Sequence, residues 1–213
     1  MKLLDSYGIK FDENSLISVA LTHTSYANEH NAISYERLEF LGDAVLELLC
    51  SDYLYKCTNY KEGEMSRMRS LYVCENALYE YSKKIKLKDY IRLGNSVKTP
   101  NKTIIADVFE AMMGVLYLEK GYSECKKLFF ELIVPYIENN VDFLKDYKTL
   151  FQEQMQTEQK SITYVVTNES GPAHKKTFEV DVIIDGIVYG HGVGSSKKEA
   201  EQNAAKEALS KHA

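Results

Sequence analysis

The sequence predicts two domains of different class: an all-helical domain over residues 1–140 and a small α+β domain, ordered α-β-β-β-α, over residues 146–213, with residues 141–145 as a linker. Three observations predict this. Before Asn140 the apolar residues recur at helical spacing, most densely over 34–55 and 103–118. After it come three alternating runs, 162–167, 177–184 and 187–193, with the tight-hairpin pair Asp185-Gly186 between the second and third. A length of 213 residues with 45% hydrophobic content is enough for two separate cores.

Taken in order, residues 16–21 form an apolar helix with Asn14 and Ser15 as cap candidates. Residues 22–29 read as a polar turn, in which His23 is a hydrogen-bonded packing residue rather than a metal ligand. A long helix runs over 34–55, a loop over 58–64, and one further helix from Met65 to Lys84 that carries Arg67 and Arg69. Residues 87–93 are short and amphipathic, and 94–102 form a loop rich in turn residues. A second apolar helix spans 103–118, where Gly114 permits close helix packing, and a last one spans 122–138. In the second domain a helix over 149–158 precedes the strands. A helix over 197–211 follows them, with Ser195 and Ser196 as caps.

Composition excludes several classes. No window approaches 18 uninterrupted apolar residues, so no membrane helix is expected, and the first eight residues lack a secretory signal. Cys50, Cys57, Cys74 and Cys125 show neither zinc-ligand spacing nor C-x-x-C pairing, and read as reduced thiols of a cytoplasmic protein. The net charge of −5 argues weakly against nucleic acid, but only as an average.

The chemistry concentrates in the long helix. At about 100° per residue, Glu36, Glu39 and Asp43 fall within roughly 60° of one another. Leu38, Leu41, Ala44, Val45, Leu48 and Leu49 fill the opposite arc, which predicts a buried helix. Carboxylates crowded onto its remaining strip repel one another and lose hydration unless a cation joins them. A plain solvated acidic face is the competing reading, and Glu47 lies near the same strip. Against it stands the second apolar helix, where Asp107 and Glu110 share a face and are the only acids between Thr103 and Leu118.

In the second domain acids outnumber lysines, yet the lysines are placed usefully. Lys197 and Lys198 open the last helix, where side-chain charge and the positive helix end act together on phosphate. Gly171-Pro172-Ala173-His174 is a loop beside two lysines, and Gln152 and Gln156 share one side of the first helix. Together these make a shape reader for A-form duplex.

Both halves resemble one family. The string Glu36-Arg37-Leu38-Glu39-Phe40-Leu41-Gly42-Asp43 resembles the signature of bacterial ribonuclease III. Residues 20–29, Glu62-Gly63 with Ser66-Arg67-Met68-Arg69, and residues 105–111 are similar to its other motifs. Residues 146–156, 171–174 and 195–201 resemble its double-stranded-RNA-binding domain. The resemblance implies an all-α endonuclease domain followed by an RNA-binding domain. It implies that Glu39, Asp43, Asp107 and Glu110 surround catalytic Mg²⁺, with Mn²⁺ as a substitute, and that Glu36 and Glu62 are acidic positions nearer the rim. It also implies that Phe40 packs into a partner subunit of a homodimer. Thr149, Gln152, Glu153, Gln156, His174, Lys197 and Lys198 match positions facing the duplex. Asp146-Tyr147 departs from the family's Asp-Pro at the hinge. The implied activity is Mg²⁺-dependent cleavage of double-stranded RNA, including ribosomal RNA precursors. Its products carry 5′-phosphate and 3′-hydroxyl ends with short 3′ overhangs. The alternative from another class is a non-catalytic double-stranded-RNA-binding scaffold.

Overall fold

The computed structural model describes residues 3–12, 14–139, 147–172 and 176–212. The chain divides into two compact units, Met1–Lys145 and Asp146–Ala213.

The first unit is helical: α1 (Ile17–Ala20), α2 (Thr24–His30), α3 (Glu36–Cys57), α4 (Glu62–Tyr72), α5 (Glu75–Lys84), α6 (Lys102–Lys120), α7 (Tyr122–Leu128) and α8 (Val134–Glu138). Its core is built on α3 and α6, with Leu46, Leu49, Tyr81, Phe109, Met112, Met113 and Phe129 all but inaccessible. The α3–α6 pair is unusually close because glycines face backbone at the contact. A Cβ on Gly42 would sit 1.7 Å from the Glu110 carbonyl oxygen, and one on Gly114 would sit 2.4 Å from that of Leu38. Close approach at Gly114 follows from the sequence; the tighter one at Gly42 does not.

Local departures from expectation have physical reasons. Residues 22–29 are not a turn but mostly the helix α2. The His23 ring caps it by accepting the Ser25 N–H at 3.1 Å, and Asn31 ends it in the left-handed region. Capping by an imidazole is a weak sequence signal, which is why a run of polar residues concealed a helix. The expected single helix over 65–84 is two. Cys74 is extended (ψ 158°), so the chain folds back and the Tyr81 hydroxyl donates to the Tyr72 carbonyl at 3.1 Å. The first of the two also starts earlier, at Glu62, because Glu64 accepts the Lys61 N–H at 3.0 Å. The expected helix over 122–138 contains a π turn, Phe129–Ile133. Pro135 follows within the next turn and has no N–H to continue the ladder. On α3, Ala44 and Leu48 were expected in the buried arc but are exposed.

The second unit is α9 (Tyr147–Thr157), the antiparallel strands β1 (Ile162–Ser170), β2 (Thr177–Ile184) and β3 (Ile187–Gly194) in that spatial order, and α10 (Lys197–His212). Asp185 and Gly186, with φ of 50° and 80°, make the two-residue hairpin turn that their sequence predicts. One sheet face (Val180, Val182, Ile184) packs on Phe151 and Met155 of α9 and on Ala200, Ala204, Ala205 and Ala208 of α10. The small alanines let α10 lie directly on β3, where a Cβ on Gly192 would come within 2.1 Å of the Ala200 oxygen. This is the α-β-β-β-α layout read from the sequence.

Candidate active site

Two helices supply the acids. Because Gly42 seats against the backbone of Glu110, the Glu39 turn of α3 lies beside the Asp107–Glu110 turn of α6. Carboxylate oxygens of Glu39, Asp107 and Glu110 lie within 4.8 Å of one another, each side chain only partly accessible. Among the described residues this is the single group of three or more metal-ligand side chains so close together. Asp43, one turn after Glu39, is exposed and stands outside that trio, but its charge is the largest of the neighbouring charges acting on Glu110.

The electrostatics are those of uncompensated like charge. Burial, then the charges of Asp43, Glu39 and Asp107, push the Glu110 carboxyl up to about 8. Burial, then Asp107, Glu36 and Asp43, raise Glu39. Asp107 is raised by burial and by Glu75, opposed by the Tyr35 hydroxyl, which donates to its Oδ2 at 3.1 Å. Tyr35 is 4% exposed and its own phenol is pushed up by burial and by these acids. Its N–H donates to the Thr22 carbonyl at 3.0 Å, and its ring tilts against His23 with centroids 5.8 Å apart. The α1–α2 segment thus holds the tyrosine that orients Asp107. Tyr35 is a residue that sequence reasoning missed. The available signal was its place immediately before the acidic helix.

The donor set fits a hard divalent cation. Carboxylate oxygens suit Mg²⁺, which keeps several waters and needs only a few protein ligands. A cation there would also offset the like-charge repulsion.

A prediction follows with a definite sign. The folded-state value of Glu110 is raised above its unfolded value, so its contribution to stability is fully present at low pH. It is lost as pH rises from about 4.5 through about 8. In chelator the melting temperature should therefore be several degrees lower at pH 8 than at pH 6. Glu110→Gln should flatten that slope, and Mg²⁺ should raise the pH 8 value in the unaltered chain only. Identical slopes for the two proteins, by scanning calorimetry, would count against the cluster.

Other predicted positions lie apart from the trio. Glu36 is exposed and accepts the Ser34 hydroxyl at 2.9 Å. Glu62 accepts the Ser66 hydroxyl at 3.1 Å and lines a surface cavity of about 190 Å³ with Ser51, Leu54, Tyr55, Met65 and Arg69. Phe40 projects from α3 with 82% of its surface accessible. In the second unit Gln152, Glu153 and Gln156 are exposed on α9 and Thr149 is half-buried. Lys197 and Lys198 are exposed in the first turn of α10, which Ser196 caps by accepting the Glu199 N–H at 3.2 Å. His174 lies outside the described residues.

A family model described as Ribonuclease-III-like matches residues 13–137, and one described as Double-stranded RNA binding motif matches residues 147–212. Relatives named Ribonuclease 3 include that of Streptococcus thermophilus, 46% identical over 98% of this chain and 95% of its own. That of Streptococcus uberis is 44% identical over 97% and 94%. Among solved structures, the nuclease domain of ribonuclease III from Campylobacter jejuni matches with a TM-score of 0.57 at 33% identity. It spans 62% of this chain and 94% of its own, and shows structural flexibility in a region involved in dimer formation.

Proposed function

We infer the reaction from the family: this chain belongs to the ribonuclease III family, and it is an endoribonuclease that carries a double-stranded-RNA-binding motif. Our reading is that it hydrolyses phosphodiester bonds in both strands of duplex RNA as a Mg²⁺-dependent homodimer. The products carry 5′-phosphate and 3′-hydroxyl ends with short 3′ overhangs. Its substrates are ribosomal RNA precursors and other transcripts in the cytoplasm. No helix among the described residues is long and apolar enough to cross a membrane.

The observation that carries this reading is the meeting of Glu39, Asp107 and Glu110 in a half-buried setting. On this reading Glu39, Asp107 and Glu110, with Asp43 beside them, would hold the cation. Bound Mg²⁺ supplies charge neutralisation on the attacking and leaving oxygens and lowers the pKa of the attacking water. Tyr35 occupies one oxygen of Asp107 and so fixes that carboxylate's rotamer before any cation arrives. The exposed amides of α9 and the lysines opening α10 meet 2′-hydroxyls and phosphates, so recognition follows duplex shape more than sequence. We assign Glu36 and Glu62 roles in substrate engagement or in holding a second cation.

The dimer reading rests on an apolar strip beside the acids. Phe40, Ala44, Leu48 and Tyr55 are exposed on one side of α3, the first, third and fourth with 82%, 56% and 76% of their surface accessible. The midpoint of Phe40 and Tyr55 falls near Leu48. Two antiparallel copies of α3 crossing there would bring each Phe40 to the other's cavity by Leu54 and Tyr55, whose volume suits one aromatic side chain. Phe40→Glu should give a monomer of 24.4 kDa in sedimentation equilibrium, where the unaltered chain has twice that mass. A variant that stays dimeric would remove Phe40 from the interface.

The function itself is tested by incubating the purified chain with a long perfect RNA duplex, in Mg²⁺ or in chelator, and mapping the product ends. Staggered cuts in Mg²⁺ alone are expected. Binding without cutting under both conditions would favour the scaffold reading instead.

A further inference from the structure

The sheet of the second unit carries a group of side chains that duplex recognition leaves unused. Val180, Val182 and Ile184 of β2 face the core and the two helices. Glu179 and Asp181 alternate with them and so project from the opposite face of the sheet. His191 of β3 stands directly across from Asp181, and Asn168 of β1 directly across from Glu179. Cross-strand neighbours on one pleated face are brought within reach of each other. His191 Nδ1 and Asp181 Oδ1 are 2.7 Å apart, and Asn168 Nδ2 donates to Glu179 Oε1 at 3.0 Å. The His191 N–H donates to Glu207 of α10 at 2.7 Å, which fixes the strand beneath the ring.

These neighbours set the tautomer. A carboxylate only accepts, so Nδ1 carries the hydrogen donated to Asp181, and in the neutral ring the lone pair is on Nε2. Nε2 lies 3.9 Å from Glu179 Oε2, too far for a direct hydrogen bond. Two acceptors facing each other repel, and a shared cation turns that repulsion into attraction. Zinc–nitrogen and zinc–oxygen bonds of about 2.0–2.1 Å set neighbouring tetrahedral ligands roughly 3.3 Å apart, so a small side-chain rotation closes the gap. A metal-binding imidazole characteristically donates its other N–H to a carboxylate, which fixes the ring and raises its basicity. Asp181 is placed to do this for His191, and Asn168 orients Glu179. The His191 and Glu179 side chains are 45% and 35% accessible, which leaves room for water to complete a coordination shell.

We propose that His191 Nε2 and Glu179 Oε2 form a binding site for a borderline divalent cation of the Zn²⁺ class, with Asp181 and Asn168 holding the two ligands in place. An imidazole ligand favours such ions over Mg²⁺, so the site is chemically separate from the all-carboxylate cluster on α3 and α6. The cation ties β2 to β3 and, through Asn168, to β1. The site lies on the sheet face opposite α9 and α10, and leaves the amides and lysines of those helices unobstructed. Binding there stabilises the second unit without competing with duplex RNA.

The test uses the full chain, stripped with chelator and held in excess Mg²⁺ to keep the acidic cluster occupied. Zn²⁺ is titrated in while the heat of binding and the histidine ring resonances in NMR are followed. The His191 resonances should shift with Zn²⁺ and stay in place with Mg²⁺ alone. His191→Gln should abolish that binding event. Asp181→Asn, which keeps both ligands, should weaken it by about ten- to a hundredfold. Zn²⁺ should raise the melting temperature of the parent by several degrees and leave that of His191→Gln unchanged. Glu179→Gln should also weaken Zn²⁺ binding, and serves if the His191 variant melts early. Zn²⁺ that leaves the His191 resonances unmoved, or binds Asp181→Asn and Glu179→Gln as tightly as the parent, would overturn the site. So would resonances that respond to acid but not to Zn²⁺, since a proton would then be the shared cation.

Discussion

Glu110→Gln is expected to lower duplex cleavage in Mg²⁺ by roughly 10³-fold or more, with duplex affinity unchanged. The substitution keeps the side chain's volume and removes its charge. Glu110 is the most strongly perturbed acid of the cluster, pushed up to about 8 by burial and by three neighbouring carboxylates. A cation held by this group contributes several kcal/mol of charge stabilisation, and each 1.4 kcal/mol is about tenfold in rate. Binding should survive because the double-stranded-RNA-binding motif lies in the other unit. The amide also removes a buried like charge, so the variant should melt higher than the parent in chelator at pH 8. Loss of activity with a raised melting temperature separates a functional defect from a folding one. Normal cleavage by the variant in Mg²⁺ would refute the assignment of Glu110 as a ligand.

Gly42→Ala should damage both stability and activity through a single methyl group. That methyl would lie 1.7 Å from the Glu110 carbonyl oxygen and 2.4 Å from its carbon, both in backbone that no rotamer change can move aside. Overpacking of a flexible side chain costs about 1–3 kcal/mol, and backbone against backbone falls at or above the upper end. The melting temperature should drop by roughly 10 °C. Relief of the clash requires α6 to move away from α3, carrying Asp107 and Glu110 from Glu39. Misplacement by about 1 Å can cost about a hundredfold in rate. Gly63→Ala is the control: it also lies in a helix, α4, but nothing comes within 4 Å of its added methyl. It should leave melting unchanged or slightly raised, since alanine favours helix. Equal behaviour of the two variants would mean that the α3–α6 contact is not what brings the acids together.

Much of the chain was legible because its signals are local. Period 3.6 over α3 and α6, period 2 over three short runs, and the Asp185-Gly186 turn fixed the classes of both units before any contact was known. Misreadings arose where local signals were weak or misleading. The imidazole cap of α2 looks like a polar turn, the break at Cys74 carries no glycine or proline, and the π turn before Pro135 leaves the apolar spacing almost intact.

For the site, the sequence by itself determined which acids share a helical face: Glu36, Glu39 and Asp43 on one apolar helix, Asp107 and Glu110 on the other. Periodicity is a property of one helix, so it identifies a face but not what that face meets. Only the tertiary structure decided that Glu39, Asp107 and Glu110 converge while Asp43 stands more exposed beside them, that Tyr35 holds Asp107, and that Ala44 and Leu48 remain uncovered with Phe40. The physical reason is the depth and angle at which α3 and α6 cross. Those depend on two missing side chains, at Gly42 and Gly114, and on backbone atoms far apart in the chain that approach only when both helices are in place.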